Sequence, residues 1–564
     1  MAHPLLRLAP LFRPSLGLLL GGVAGLLVAT GLNLAGPLIV AMAIDDDLAA
    51  GDVPGLVGKG LLYLGILVVN LGLTWGAKVT IEVVAQRAML ALKTQLFDHL
   101  IEHDLAFHDT HASGRLITRV QGDTEALRVL FSEVILVAPA DIALFTGMFA
   151  VILTRAPDLA PLVFAVLPPY VLMFAIFRMV SPRRFMAVRE VKAKLTGFLS
   201  EHLRAMPVLQ LFGRVPWANR RADALNAEVF RKETIAHLLP VGYFNGVFLV
   251  RSLGMVLVLW IGAGRVSAGV LTVGALVMGL GYLRQMFNPL MRLSHHLSTL
   301  ERARAAAIRI AAILDRPRLI TDPQTPVPWP GLSDALRLQD VRFHYFEGTP
   351  ILRGVDLTIP AGQHVGIVGA TGAGKTTVLN LLLRFRDPTG GKVTVDGVDL
   401  RDVTLSELRS RIGLVLQDVH LFAGTVLANL GGEPEAATRA LQTLGVQIDL
   451  HKELIDGGLN LSRGERQLLT FARALAPNPD ILVLDEATSA VDPETEQLVQ
   501  GALGRLMTGR TTITVAHRLT TVRDCDRIYV LGAGLVVESG THDELIAARG
   551  LYAALHELQH GAAA

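Results

Sequence analysis

Cysteine is nearly absent from the chain, and charged and aromatic residues are sparse for its length. A single cysteine, Cys525, in 564 residues excludes an intrachain disulfide framework and leaves no thiolate cluster to hold a metal. Charged residues make up only 18%, and the two signs nearly cancel, with 52 lysines and arginines against 50 acids and a net charge of +2. No global basic field would draw in a polyanion, so nucleic acid is not an expected partner. A cleavable leader is not evident either: Arg7 and Arg13 are interrupted by Pro4 and Pro10, and the apolar run after Pro14 is long enough to cross a bilayer. The first residues therefore read as a short interfacial segment leading into a membrane helix. Apolar residues are abundant instead. At 51% hydrophobic and a mean hydropathy of +0.45 the chain is too apolar for an ordinary soluble protein, and a membrane domain is expected.

Six apolar runs occupy the first half. The first, Leu16 to Ile44, stops at Asp45-Asp46-Asp47, as a chain leaving a membrane would. The second begins near Leu56, runs through Trp75 and continues as a polar-sided helix to His108, with a break over Phe107 to Arg115. The third covers about Glu133 to Leu153, and Ala156-Pro157-Asp158 forms a tight outer turn. The fourth, about Ala160 to Val180, overruns into a basic stretch holding Arg183, Arg184, Arg189, Lys192 and Lys194, and the chain turns again near Arg204 to Arg214. The fifth is about His237 to Ile261; after a loop over Gly262 to Gly269 the sixth runs from Val270 to Leu293 and stays helical to Leu314. An even number of spans puts both termini on one side, and the lysine and arginine excess in the long loops marks that side as cytoplasmic. Two long cytoplasmic hairpins, each broken at its tip, form arms that can touch something beneath the membrane.

From Asp315 to Pro330 the chain carries Pro317, Pro323, Pro326, Pro328 and Pro330, which suits an extended tether. The expected organisation is a transmembrane domain over residues 1–314, a linker over 315–334 and a second domain over 335–564. In the second domain strands alternate with helices, giving a mixed α/β fold with a largely parallel core sheet. Within it lies Gly369-Ala370-Thr371-Gly372-Ala373-Gly374-Lys375-Thr376-Thr377, preceded by a strand ending at Val368 and followed by the helical run Val378 to Leu383. Strand, glycine loop and helix in that order aim consecutive backbone N–H groups into one phosphate-binding nest at the positive end of a helix. Lys375 would reach the outer phosphates of a nucleotide triphosphate, and Thr376 would hold Mg²⁺. The apolar strand Ile481 to Leu484 ends in Asp485 and Glu486, an arrangement that places Asp485 on the Mg²⁺ shell and Glu486 where it can polarise an attacking water. Ser462 can cap a helix starting after it, which creates a further anion site.

With Gln417 after a strand, L-S-R-G-E at Leu461 to Glu465, D-E-A-T-S-A-V-D at Asp485 to Asp492, and His517 in A-H-R-L, these motifs resemble in order and spacing the phosphate loop, Q-loop, signature, Walker B with D-loop, and switch histidine of ATP-binding cassette transporters. The resemblance covers almost the whole chain and implies an exporter-type half-transporter: a six-helix all-α transmembrane domain fused to an α/β P-loop nucleotide-binding domain. It implies ATP and Mg²⁺ as cofactors. Gly369, Gly372, Gly374, Lys375, Thr376 and Thr377 would bind nucleotide, with Tyr345 stacked on adenine; Thr376, Gln417 and Asp485 would serve the metal. Glu486, His517 and Gln417 would form the catalytic set, and Ser462, Gly464 and Asp492 would complete the nucleotide contacts, Ser462 and Gly464 on the γ-phosphate of a partner subunit. The breaks around Phe107 to Arg115 and Arg204 to Arg214 would be coupling helices. Expected partners are a second half-transporter subunit, a heterodimer being slightly favoured over a homodimer, the lipid bilayer of the plasma (inner) membrane, and a small or lipophilic substrate, the exported cargo being a lipophilic compound, a lipid or a peptide.

Two departures from the family pattern stand out. The signature has Arg463 where glycine is usual and Glu465 where glutamine is usual, and the segment from Asn429 to Asn460 is shorter than the usual helical subdomain. A membrane-anchored ATPase that gates a partner, and an importer on the same scaffold, are the rival functions. Within the membrane, Asp141 and Arg284 fall at a similar depth, roughly 20 Å from the outer surface by helical rise, so they are expected to face each other as an interhelical or cavity-lining pair. Glu133, Arg292 and His295 read instead as a solvated cytoplasmic face.

Overall fold

A computed structural model of the chain describes residues 6–455, 457–485, 493–516 and 519–561. The chain divides into two compact units, one holding the residues up to Glu102 with Ala112–Arg316, the other His103–His111 with the residues from Pro317 on.

The first unit is helical. Five runs, Pro10–Leu48, Val53–Ile101, Ser113–Arg155, Pro157–Arg204 and Val215–Ser267, each contain a stretch long and apolar enough to cross a membrane, and no more than 28% of any such stretch is buried within the unit. Their apolar side chains therefore face outward, as lipid contact requires. The sixth helix, Val273–Leu314, has 42 residues and ample length, but Arg284, Gln285, Asn288 and Arg292 interrupt its apolar run. Among the described residues these five are apolar enough by composition to cross, and the sixth expected span falls on Val273–Leu314, one face of which is polar. The fifth helix also continues through Gly262 and Gly264 to Ser267 instead of leaving the helical path at Gly262.

Buried tyrosines tie these helices together. The Tyr170 hydroxyl donates to the Leu290 carbonyl at 2.6 Å and lies 3.1 Å from the Tyr243 hydroxyl, while Tyr282 donates to the Leu34 carbonyl at 2.5 Å. A hydroxyl in an apolar interior must find such a partner, so each bond also fixes which helices meet.

In the second unit, β1 (Ala335–His344), β2 (Pro350–Pro360), β4 (Gly390–Val395) and β5 (Val398–Asp399) form one sheet in the order β2-β1-β4-β5. A second sheet, in the order β12-β11-β3-β10-β9-β6, combines β3 (His364–Gly369), β6 (Ile412–Val415), β9 (Ile481–Asp485), β10 (Thr511–Val515), β11 (Arg527–Gly532) and β12 (Leu535–Gly540). All of its neighbours pair parallel except the edge strand β12. Helices cover both faces of such a sheet, which is why β3, β9 and β10 are almost continuously buried, β9 with apolar residues and β10 with threonines beside Ile513 and Val515. A short ribbon of β7 (Gly424–Thr425) and β8 (Glu453–Leu454) lies in the segment before the helix Arg463–Leu475. Burial pushes the lone thiol, Cys525, up to about 12, so it stays protonated and inert.

Candidate functional site

The parallel register sets the site. Val515 on β10 pairs with Ile367 on β3 and with Asp485 on β9, and β6 follows on the far side of β9. The ends of β3, β9 and β6 therefore open on one edge of the sheet, with strands about 4.8 Å apart. That edge brings together the glycine loop after β3, Asp485 at the end of β9 and Gln417 two residues beyond β6. Ligands of open α/β sheets bind at this carboxyl edge.

The loop is built for close backbone approach. Gly369 has φ +154°, and a Cβ there would meet the Leu531 carbonyl oxygen at 2.3 Å; Gly374 has φ +103°, and a Cβ would meet Leu352 at 2.7 Å. Gly372, at φ +83°, has nothing within 4 Å of a Cβ position and opens to space. Gly374, the cap residue of the helix Lys375–Leu382, supplies no side-chain hydrogen bond, and the N-terminus of a helix favours an anion. Lys375 is 4% exposed and folds back, its Nζ donating to the carbonyls of Gly369 at 2.8 Å and Ala370 at 3.2 Å. The ammonium is thus held at the mouth of the nest. Thr376, next in the helix, is exposed and Thr377 is buried.

Tyr345 follows β1. Strict strand alternation with Val341 and Phe343 would bury it, yet the strand ends at His344 and Tyr345 is 39% exposed. Its ring stands edge-on to Phe343 at 5.0 Å, and its hydroxyl lies 3.1 Å from Thr377 Oγ1. One ring face carries the guanidinium of Arg386, 4.7 Å from the centroid. Arg386 has no motif in the sequence to mark it, and only the fold reveals it.

Ser462 caps the helix Arg463–Leu475 through a reciprocal box: its hydroxyl accepts from the Glu465 N–H at 3.1 Å, and Glu465 Oε2 accepts from the Ser462 N–H at 2.8 Å. The Ser462 N–H holds the Glu465 carboxyl below its ordinary range. Glu465, one of the two unusual signature residues, is therefore half of a cap. Gly464 is buried and Arg463 exposed in the first turn. Glu486, Asp492 and His517 lie outside the described residues.

Residues 19–290 match the family model of the ABC transporter transmembrane region, and residues 352–489 match that of the ABC transporter domain. A probable multidrug resistance ABC transporter ATP-binding/permease protein of Bacillus subtilis, YheH, is 33% identical over 525 residues, covering 90% of this chain and 78% of its own. The chain belongs to the ABC transporter family. A fatty acid ABC transporter ATP-binding/permease protein of Mycobacterium bovis is 33% identical over 564 residues, covering 95% of this chain and 88% of its own. Among solved structures, a bacterial Atm1-family ABC exporter with ATP bound superposes with a TM-score of 0.74 at 25% identity, over 96% of this chain and 98% of that one. This ABC transporter is thus a multi-pass membrane protein with an ATP-binding domain, an ATPase coupled to transport.

The arms of this ABC transporter break differently from expectation. The second long helix ends at Ile101, not near His108, because Asp104 accepts from the Phe107 N–H at 3.0 Å and starts a separate helix, Leu105–Thr110. That short helix belongs to the second unit, where Arg386 Nη2 donates to Asp109 at 2.5 Å. At the other tip, none of Met206–Leu211 is buried, and Leu211 and Phe212 are 80% and 70% exposed.

In the membrane unit the expected Asp141–Arg284 pair is absent. Asp141 is bound by Arg292, whose Nε donates at 3.0 Å and whose Nη2 donates to the other oxygen, and His296 Nε2 lies 3.3 Å away. The reason is helical spacing: Arg292 and His296 are one turn apart and reach the same carboxylate, whereas Arg284 is two turns, roughly 12 Å, farther along the helix. His295 and Glu133 also meet, at 3.3 Å, with both side chains more than half exposed, in keeping with a solvated face, whereas Arg292 is committed to Asp141.

Proposed function

We propose that the chain is one half of an ATP-driven exporter in the plasma (inner) membrane, with both termini and the nucleotide-binding domain cytoplasmic, that moves a small lipophilic substrate. The observation that carries this reading is the common sheet edge holding the Gly369–Thr377 loop, Asp485 and Gln417. The open glycine cradle, the helix N-terminus and the buried ammonium of Lys375 fit a nucleotide triphosphate. Gly369, Gly372 and Gly374 let the backbone approach the phosphates, Lys375 neutralises the outer ones, Thr377 adds a hydroxyl, and the free ring face of Tyr345 stacks on adenine. Thr376, Asp485 and Gln417 hold Mg²⁺, which when bound neutralises phosphate charge. Glu486 takes a proton from the attacking water, while His517 orients the terminal phosphate.

One chain carries one phosphate loop and one signature. Ser462 and Gly464 serve the nucleotide of a second subunit, with Asp492 alongside, so a dimer is the working unit. Glu465 places a carboxylate in the first turn of the signature helix, where phosphate oxygens approach, and this favours a heterodimer with unequal sites over a homodimer. A cavity of about 630 Å³ between the fourth, fifth and sixth helices, whose lining sets Phe177, Tyr243 and Met291 beside Arg189, Glu301 and Arg302, supports a lipophilic substrate with a polar end. The relatives named as a probable multidrug resistance transporter and a fatty acid transporter support the same class.

The test uses inside-out vesicles with the reconstituted protein. ATP-dependent accumulation of a lipophilic dye, abolished by Lys375→Ala, is expected. ATP hydrolysis without any directional flux would favour a gating ATPase, and ATP-driven release from the vesicles an importer.

A further inference from the structure

The sixth helix has two faces. Tyr282, Leu283, Met286 and Phe287 are buried against neighbouring helices, whereas Val277, Arg284 and Asn288 form an exposed stripe. Arg284 lies eleven residues beyond the helix start at Val273, roughly 16 Å at 1.5 Å per residue, near the middle of a hydrocarbon core about 30 Å thick. From that depth its side chain cannot snorkel to either headgroup plane.

Among the described residues no carboxylate pairs with it. Asp141, the acid expected to do so, is occupied by Arg292 and His296, and among the described residues Arg284 makes no hydrogen bond or ion pair. A second cation at mid-depth, Arg251 on the fifth helix, has a buried Nε without a hydrogen-bond partner and stacks over Phe248 at 5.0 Å. The membrane unit thus keeps cations in excess at the level where charge is most expensive, and such a residue faces a watery cavity or another protein surface, not lipid.

We propose that Arg284 is the headgroup contact for an anionic amphiphile, a single-chain acid. Its planar guanidinium matches the two oxygens of a carboxylate, and Asn288, one turn on, adds an amide donor on the same face. The assignment rests on the transporter reading above and names the substrate class for it.

The experiment compares three ligands with one tail and different heads: oleate, oleyl alcohol and oleylamine. The full chain, with whatever subunit completes its dimer, is placed in phosphatidylcholine vesicles. ATPase stimulation should need about tenfold less oleate than alcohol. Arg284→Gln should raise the oleate requirement about tenfold and leave the alcohol curve in place, Arg284→Lys should recover most of the loss, and Arg284→Glu should turn the preference toward oleylamine. Equal response to the three heads, or an oleate curve that ignores Arg284→Gln, overturns the proposal. A dimer that dissociates on Arg284→Gln assigns the residue to a contact with the second subunit and also overturns it. Oleate binding to the detergent-solubilised protein, read by tryptophan fluorescence, separates the two readings. Arg284-dependent binding without ATP-driven transport would count against the exporter alone, and binding indifferent to Arg284 against the headgroup contact alone.

Discussion

The guanidinium of Arg386 sits 4.7 Å from the centroid of the Tyr345 ring while its Nη2 donates to Asp109 at 2.5 Å. With the Tyr345 hydroxyl 3.1 Å from Thr377 Oγ1, a continuous set of contacts joins the helix after the phosphate loop to the short helix Leu105–Thr110. Arg386→Ala should weaken ATP binding about two- to fivefold, the scale of one cation–π contact at a partly exposed site. Combined with Asp109→Asn, it should show less than additive loss of substrate-stimulated turnover. Strict additivity in the double-mutant cycle would disconnect the two residues.

Glu486→Gln should retain ATP binding and lower turnover by roughly a hundredfold or more, as loss of a general base does. Lys375→Ala should instead remove binding, because the ammonium at the mouth of the loop is the positive charge aimed at the phosphates. Fluorescent nucleotide titration alongside phosphate release distinguishes the two. A Glu486→Gln protein that turns over at the wild-type rate would exclude the residue as base.

Glu465→Gln keeps the reciprocal cap, since an amide oxygen can accept from Ser462, yet removes a negative charge from the first turn of the helix. Turnover at this signature should rise a few-fold. Glu465→Ala should keep the bond from its backbone N–H to Ser462 but lose the carboxylate half of the box, at about 0.5–1 kcal/mol, seen as a lower melting temperature. Because the carboxyl is held below its ordinary range, its contribution is complete above about pH 4.3 and fades as pH falls through the depressed value. Unchanged activity in Glu465→Gln would show that the charge does not reach the phosphate.

Asp141→Asn and Arg292→Gln should each lower thermal stability in detergent and be coupled by about 0.5–3 kcal/mol, since each leaves the other without its charged partner. Asp141→Asn and Arg284→Gln should be additive, the two having no contact. The opposite pattern would restore the pairing that helical depth alone suggests.

The sequence by itself determined the architecture. Apolar runs near twenty residues are satisfied in lipid as helices, and a strand, glycine loop and helix in that order aim backbone N–H groups at one point, so the membrane unit and the Gly369–Thr377 loop are legible in the sequence. Spacing along one chain also suggested Ser462 as a cap. Only the tertiary structure decided which side chains meet across elements. Depth along two helices made Asp141 and Arg284 equivalent, but the packing of those helices, which no local pattern encodes, brought Arg292 and His296 to the carboxylate and left Arg284 exposed. The adenine role expected of Tyr345 names no neighbour for its ring, and only the fold, in which β1 ends at His344, sets that ring under Arg386. Local periodicity fixes what each segment becomes, because backbone hydrogen bonds and burial act over one turn or one pleat. Pairing between distant side chains depends on how rigid elements cross, and that is set by the whole core at once.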